Sequence, residues 1–120
     1  MNTRKIGIQK EETACRYLKE QGIQIKERNY RCKMGEIDII GYDKDCLVIF
    51  EVKYRKDMAM GSASEAVDYR KQKKICSVFD YYRMIHKCPD NQAVRFDVIA
   101  IEGDRIDWIK NAFFYQGRGI

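Results

Sequence analysis

The sequence is short of residues on which many catalytic sites depend. Among its 120 residues there is one histidine, His86, and one proline, Pro89. A single histidine leaves almost no material for a Ser-His or Cys-His catalytic arrangement. No apolar run approaches the roughly 20 residues that span a bilayer, and the first residues lack the apolar core of a signal peptide. We therefore expect a cytoplasmic protein with no membrane partner.

Cysteine is present, but not in a metal-binding pattern. The five cysteines are an odd number, and no two of them form a CxxC pair. This pattern favours reduced packing residues over disulfide bridges or zinc ligands. Any metal ion would then be a hard one held by oxygen atoms.

Length, composition and charge indicate one globular domain. Hydrophobic residues make up 45% of the chain and charged residues 34%, which is typical of a globular protein. We expect a single domain over residues 1–120, because this length suits one hydrophobic core. The net charge of +5 favours polyanionic partners without requiring them.

Hydrophobic periodicity predicts the element order α-β-β-β-α-β-β. The predicted helices cover about 6–21 and a segment that starts at a capping box over 62–65, and the predicted strands cover 23–32, 36–42, 46–54, 93–101 and 106–110. The run CLVIFEVKY is so continuously apolar that it predicts a central strand covered on both faces. The fold class is α/β, with a mixed β-sheet of about five strands flanked by helices. The aromatic tail NAFFYQ is assigned to no element.

Two carboxylates and a lysine interrupt the apolar runs of neighbouring strands. Asp38 lies within EIDII, and Glu51 and Lys53 lie within LVIFEVK. Because side chains alternate across a strand, Glu51 and Lys53 share one face, and Asp38 shares a face with Glu36 and Ile40. Pairing through the turn at 41–45 would bring Asp38 close to Glu51.

A third acid lies on the first helix. Glu11 is spaced so that it shares the helix side of Ala14 and Leu18, which we expect to be buried. Several carboxylates at one end of a buried sheet repel one another unless a cation lies among them. The pattern predicts a Mg²⁺ (or Mn²⁺) site formed by Glu11, Asp38 and Glu51, with Lys53 assisting hydrolysis of a phosphodiester bond. The alternative is a buried Glu-Lys ion pair that only holds the sheet together.

The same residues resemble a known family. The segments GEIDII, VIFEVKYR and AVDYRKQKK, with GxxxExxA in the first helix, resemble the YraN-like family of uncharacterised bacterial proteins. That family is similar to the PD-(D/E)xK restriction-endonuclease-like superfamily, which includes archaeal Holliday junction resolvases. The resemblance runs from Gly7 to about Trp108 and implies a metal-dependent endonuclease. It places the metal-binding acids at Asp38, Glu51 and Glu11 and the catalytic lysine at Lys53. The proline of the motif is replaced by Ile37.

Basic residues around the second helix extend this hypothesis to the partner. We expect contacts with a nucleic acid, in this case structured or branched DNA, from Arg55, Lys56, Arg70, Lys71, Lys73 and Lys74. An ordinary solvated surface would explain the same charges. Lys71 would contact the scissile phosphate or an acid of the site, or would only cover the edge of the core. Asp97 would support the site or pair with Arg95.

Three functional hypotheses follow from the sequence. The first is the nuclease, for which a symmetric homodimer is the simplest means of cutting both strands of a duplex. The second is a non-cleaving nucleic-acid-binding module of the same fold. The third is an interaction protein whose aromatic residues, Trp108 and 113–115, dock a partner or a second copy.

Overall fold

The computed structural model describes residues 3–54 and 67–117, with side chains described from residue 9 onward. The elements are α1 (Thr3–Glu20), β1 (Gln24–Cys32), β2 (Gly35–Asp43), β3 (Cys46–Tyr54), α2 (Tyr69–Ile85), β4 (Val94–Glu102) and β5 (Arg105–Phe113). The predicted order α-β-β-β-α-β-β is confirmed, and the α/β fold is of the restriction-endonuclease-like class. Across these two ranges, no helix has the length and apolar character needed to cross a membrane.

The five strands form one mixed sheet in the order β1-β2-β3-β4-β5. Neighbouring strands are antiparallel except β3 and β4, which run parallel because the chain crosses over through α2. Strand β3 is central, and its side chains alternate between two hydrophobic clusters. Leu47 and Ile49 pack in the cluster that contains the buried side of α2, whereas Val48 and Phe50 pack in the cluster that contains α1. The prediction of a strand covered on both faces is confirmed.

Both helices bury the sides that their periodicity predicts. On α1, Ala14 and Leu18 are fully buried, whereas Glu12 is exposed. On α2, the buried residues are Ile75, Cys76, Val78, Phe79 and Tyr82. The predicted capping box over 62–65 lies outside the described residues. The start of α2 is capped instead by Asp68, whose side chain accepts a hydrogen bond of 2.8 Å from the backbone N–H of Lys71.

The end of the chain is more ordered than the sequence indicates. Strand β5 extends to Phe113, three residues beyond the predicted end, because Ala112 and Phe113 pack against the α2-side cluster. Beyond it, the Tyr115 ring stacks on Phe96, and the Tyr115 hydroxyl donates a hydrogen bond of 2.8 Å to Asp80. Tyr115 is thus occupied by contacts within its own chain.

Strict alternation fails in β2 around Asp38. Ile37 and Ile40 pack in the α2-side cluster, whereas Ile39 packs in the α1-side cluster. An alternating strand would place Ile37 and Ile39 on the same face, so the predicted shared face of Glu36, Asp38 and Ile40 does not describe this segment. The partner strand is irregular at the same level, because Asn29, which lies between the paired residues on β1, has a φ of 52°.

Asp97 is the centre of a buried hydrogen-bond network. Its side chain is fully buried and accepts hydrogen bonds from the Arg95 guanidinium at 2.9 Å, the Trp108 indole at 2.8 Å and the Asn111 backbone at 2.8 Å. Arg95 also bonds Asp43 at 3.1 Å. The network joins β4 to β5 and to the end of β2. Of the two roles considered for Asp97, the pair with Arg95 is the one observed.

We expect Asp97→Ala to destabilise the fold by about 3–5 kcal/mol, because it leaves buried donors and a partly buried guanidinium without their acceptor. Urea unfolding measures this loss. Asp107→Ala is a matched control, since Asp107 also pairs with an arginine two residues away, at 3.2 Å, but at an exposed position. The control should cost less than about 1 kcal/mol. Equal losses in the two variants would refute the central role of Asp97.

Candidate metal and catalytic site

Asp38 and Glu51 lie where the ladder between β2 and β3 ends. The regular pairing of the two strands ends at Ile39 opposite Phe50. The next residue is Asp38 on β2 and Glu51 on β3. The backbone N–H of Val52 then donates to the Asp38 carboxylate at 2.8 Å. The Asp38 carboxylate therefore accepts a hydrogen bond from the backbone of β3, and this bond holds the Asp38 side chain beside Glu51.

Glu51 and Asp38 are close enough for their charges to interact. Glu51 is buried, with only 6% of its surface exposed, and Asp38 is partly buried. Burial, followed by the charge of Asp38, raises the pKa of Glu51 to about 7. Burial also raises the pKa of Asp38, although the Val52 N–H opposes this shift. Each of the two carboxyl groups therefore favours its protonated form more than it would in water.

Glu11 brings a third acid to the same region from α1. Burial, followed by the charge of Asp38, raises the pKa of Glu11 to about 7, while Arg28 and Arg31 act in the opposite direction. With the Asn29 amide turned so that its nitrogen faces this carboxylate, the nitrogen lies 2.6 and 3.1 Å from the two Glu11 oxygens. Sequence reasoning did not assign a role to Asn29. The feature that could have indicated a role for Asn29 is its position in RNYR, within a strand whose other residues follow the alternating pattern.

Two lysines from different elements reach one oxygen of Glu51. The Lys53 ammonium, on β3, lies 3.9 Å from Glu51 Oε1, and the Lys71 ammonium, on α2, lies 3.7 Å from the same atom. Both lower the pKa of Glu51, but burial and Asp38 outweigh them. The lysines therefore do not neutralise this carboxylate. Among the alternatives for Lys71, the structure shows the contact with an acid.

Asp38 and Glu51 form a pair, and Glu11 lies near them without completing a group of three metal ligands. Within 9–54 and 67–117, no three His, Cys, Asp or Glu side chains are grouped closely enough to hold a metal ion together. Mg²⁺ is nevertheless commonly bound through only one or two carboxylates and several waters. The ligand atoms that Asp38 and Glu51 offer are all oxygen. Burial raises the pKa of both groups, and the charge of Asp38 raises that of Glu51 further, so a cation beside them would stabilise their ionised forms. The pair fits Mg²⁺ or Mn²⁺, with Glu11 nearby.

The other predicted nucleic-acid-binding residues divide into two groups. Arg70, Lys73 and Lys74 are exposed on α2, on the same helix as Lys71. Arg55 and Lys56 lie outside the described residues. The described basic residues thus extend from the candidate site along the first turns of α2.

The element order and the five-stranded mixed sheet give the chain an α/β fold of the restriction-endonuclease-like class. A family model described as "Uncharacterised protein family UPF0102" matches residues 10–101, and the chain belongs to this family, the YraN-like family that its motifs resemble. A UPF0102 protein of Lachnoclostridium phytofermentans is 43% identical, over 98% of this chain and 99% of the relative. Another, of Fusobacterium nucleatum, is 44% identical over 92% of each chain. The matched segment contains Glu11, Asp38, Glu51, Lys53 and Lys71.

The raised pKa of Glu51 makes the stability depend on pH. The folded state binds this proton more tightly than the unfolded state, so the stabilising contribution is complete below about 4.5 and is lost as the pH rises through about 7. We expect Glu51→Gln, which cannot ionise, to stabilise the metal-free protein by up to about 3 kcal/mol at pH 8 and by much less at pH 5. Urea unfolding at the two pH values measures the difference.

The exposed Glu12→Gln serves as the control for that comparison and should show no such pH-dependent gain. A merely structural ion pair would give the opposite sign, because removal of Glu51 would then leave two lysines unpaired and destabilise the fold. Destabilisation by Glu51→Gln at pH 8 would contradict the expectation.

Proposed function

We propose that this protein is a Mg²⁺- (or Mn²⁺-) dependent nuclease that hydrolyses phosphodiester bonds in structured or branched DNA. The observation that carries the proposal is the pair of buried Glu51 and partly buried Asp38, whose raised pKa values persist although two lysines reach Glu51. Such strongly perturbed groups cluster at functional sites more than in purely structural pairs. The pair lies where the ladder between β2 and β3 ends, and the side chains of Lys53 and Lys71 beside it are partly exposed, so a substrate would approach from the side of the lysines.

The residues that would hold the divalent ion are Asp38 and Glu51, with Glu11 as the additional acid. When bound, such an ion lowers the pKa of a water ligand and stabilises negative charge on the phosphate. The Val52 N–H holds Asp38 in place through a bond of 2.8 Å, so this ligand needs no rearrangement. Asn29 similarly orients Glu11.

The two lysines are the groups that act on the substrate. Lys53 and Lys71 bring ammonium groups from β3 and α2 to one carboxylate oxygen, so a phosphate at this carboxylate meets positive charge from two elements. Lys53 orients the attacking water or stabilises the charge that develops on the phosphate. Lys71 binds the phosphate beside it. Exposed Arg70, Lys73 and Lys74 continue this positive surface and contact neighbouring phosphates.

The proposed partner is DNA, consistent with the net charge of +5. The preference for branched or structured DNA rests on the resemblance to Holliday junction resolvases. A symmetric homodimer would place two such sites on opposite strands of a duplex.

We expect Lys53→Ala to lower the cleavage rate by about 10²- to 10³-fold while the protein still folds, because it removes one charge-stabilising group. Asp38→Asn should abolish Mg²⁺-dependent cleavage and weaken Mn²⁺ binding. Cleavage of labelled linear, flapped and four-way DNA, and of RNA, measures the first effect, and calorimetric titration with Mn²⁺ measures the second. Lys33→Ala, at an exposed position in the turn between β1 and β2, should leave both unchanged. Absence of metal-dependent cleavage of every substrate by the wild type would refute the nuclease.

A second function, a non-cleaving nucleic-acid-binding module, is favoured by one observation. Lys53 and Lys71 both lie within ion-pair distance of Glu51, as they would in a site that keeps its fold without metal. Such a module would bind DNA with a strong salt dependence. Binding that is insensitive to Mg²⁺ and to Asp38→Asn, measured by fluorescence anisotropy, would select this function over the nuclease.

A further inference from the structure

The sheet divides into two arms at the candidate acids. Regular pairing between β2 and β3 ends at Ile39 opposite Phe50. Beyond that point β2 still pairs with β1 down to its first residue, and β3 still pairs with β4 up to its last residue. The first arm therefore consists of β1 with the first half of β2, and the second arm consists of β3 with β4. Lys53 lies on the second arm, and α2 brings Lys71 to the same carboxylate.

The first arm has two arginines on the face that α1 covers. Arg28 is opposite Ile39, which packs in the α1-side cluster, and directly opposite residues of antiparallel strands share a face. Tyr30 packs in the α2-side cluster, so the next residue, Arg31, lies on the α1 side. In a regular strand, two residues three positions apart lie on opposite faces. The irregular backbone at Asn29 therefore brings both arginines to one face.

Both arginines lie near Glu11 and are exposed. Burial and the charge of Asp38 raise the pKa of Glu11. The charges of Arg28 and Arg31 oppose this shift. The Arg31 guanidinium also lies 2.9 Å from the Glu36 carboxylate, yet the Arg31 side chain is 70% exposed. Because an exposed ion pair of this kind contributes little to stability, the two guanidinium groups remain accessible to an anionic ligand beside the third acid of the site.

We propose that Arg28 and Arg31 bind backbone phosphates of the DNA substrate. The bound strand lies across the point where the two arms separate, with these arginines on one side of the acids and Lys53 and Lys71 on the other. Arginine suits this role because its planar guanidinium binds phosphate oxygens in a bidentate manner. This inference rests on the proposed nuclease function, and it adds a second set of phosphate contacts to those proposed for α2.

Binding of the full-length protein to DNA in Ca²⁺ tests this inference separately from cleavage. The probe is a fluorescein-labelled four-way DNA junction, and fluorescence anisotropy gives Kd at several salt concentrations. Each phosphate contact contributes about 0.9 to the slope of log Kd against log salt concentration. We expect Arg28→Ala and Arg31→Ala each to lower this slope by about 0.9, and the double variant to lower it by about 1.8.

Two kinds of control keep this measurement specific. Arg28→Lys and Arg31→Lys retain the positive charge and should keep the wild-type slope. Arg83→Ala is the matched control, because Arg83 also pairs with a partly exposed acid, Asp80, at 2.9 Å. Arg83 lies on α2 about 18 Å along the helix axis from Lys71, so its removal should leave the slope unchanged.

The outcomes separate the inference from the function on which it rests. An unchanged slope in Arg28→Ala and Arg31→Ala, or an equal decrease in Arg83→Ala, would overturn the phosphate contacts even if the wild type cuts DNA. An altered Mn²⁺ affinity with an unchanged slope would overturn them too, because the arginines would then act only on Glu11. Decreased slopes in a protein that never cuts DNA in Mg²⁺ would support the contacts and overturn the nuclease. A wild type that does not bind the junction would overturn both.

Discussion

The hydrogen bond from the Val52 backbone to Asp38 is the contact around which the candidate site is built. It replaces the next backbone bond of the ladder between β2 and β3, so the two strands separate where their acids meet. The bond fixes Asp38 against Glu51 in a region that is nearly closed to water. Burial is the largest cause of the raised pKa of each carboxyl group, and the charge of Asp38 adds to the shift of Glu51.

Packing and hydrogen bonds elsewhere in the fold offset the free-energy cost of burying these carboxyl groups. Two clusters on opposite faces of β3 bury its apolar residues, and the Asp97 network joins β4 to β5 at the far side of the central strand. Asp97 is as buried as any residue of the core, yet donors from Arg95, Trp108 and Asn111 satisfy it. Glu51 differs from Asp97, because burial and the charge of partly buried Asp38 raise its pKa although Lys53 and Lys71 pair with it. Of the two buried acids among the described residues, Asp97 is balanced by its donors and Glu51 is balanced only in part.

Residue spacing was sufficient to predict which side chains would lie in the same region, but not which of them would be in contact. Alternation placed Glu51 and Lys53 on one face of β3, and helical periodicity placed Glu11 on the buried side of α1; the structure brings these residues to one region. The contact of Lys71 with Glu51 depends on how α2 crosses the sheet, which no local pattern encodes. The break in alternation at Asp38 and the orientation of Asn29 depend on the irregular backbone of β1 at the same level.

By itself the sequence determined the element order, the central position of β3 and the identity of the acids, because these follow from short-range periodicity and from the cost of burying charge. Tertiary structure alone decided the packing of the tail through Tyr115 and the separation of Glu11 from the Asp38–Glu51 pair. These features depend on distances between elements far apart in the chain. Such distances are set by packing and strand twist, for which a linear pattern contains no measure.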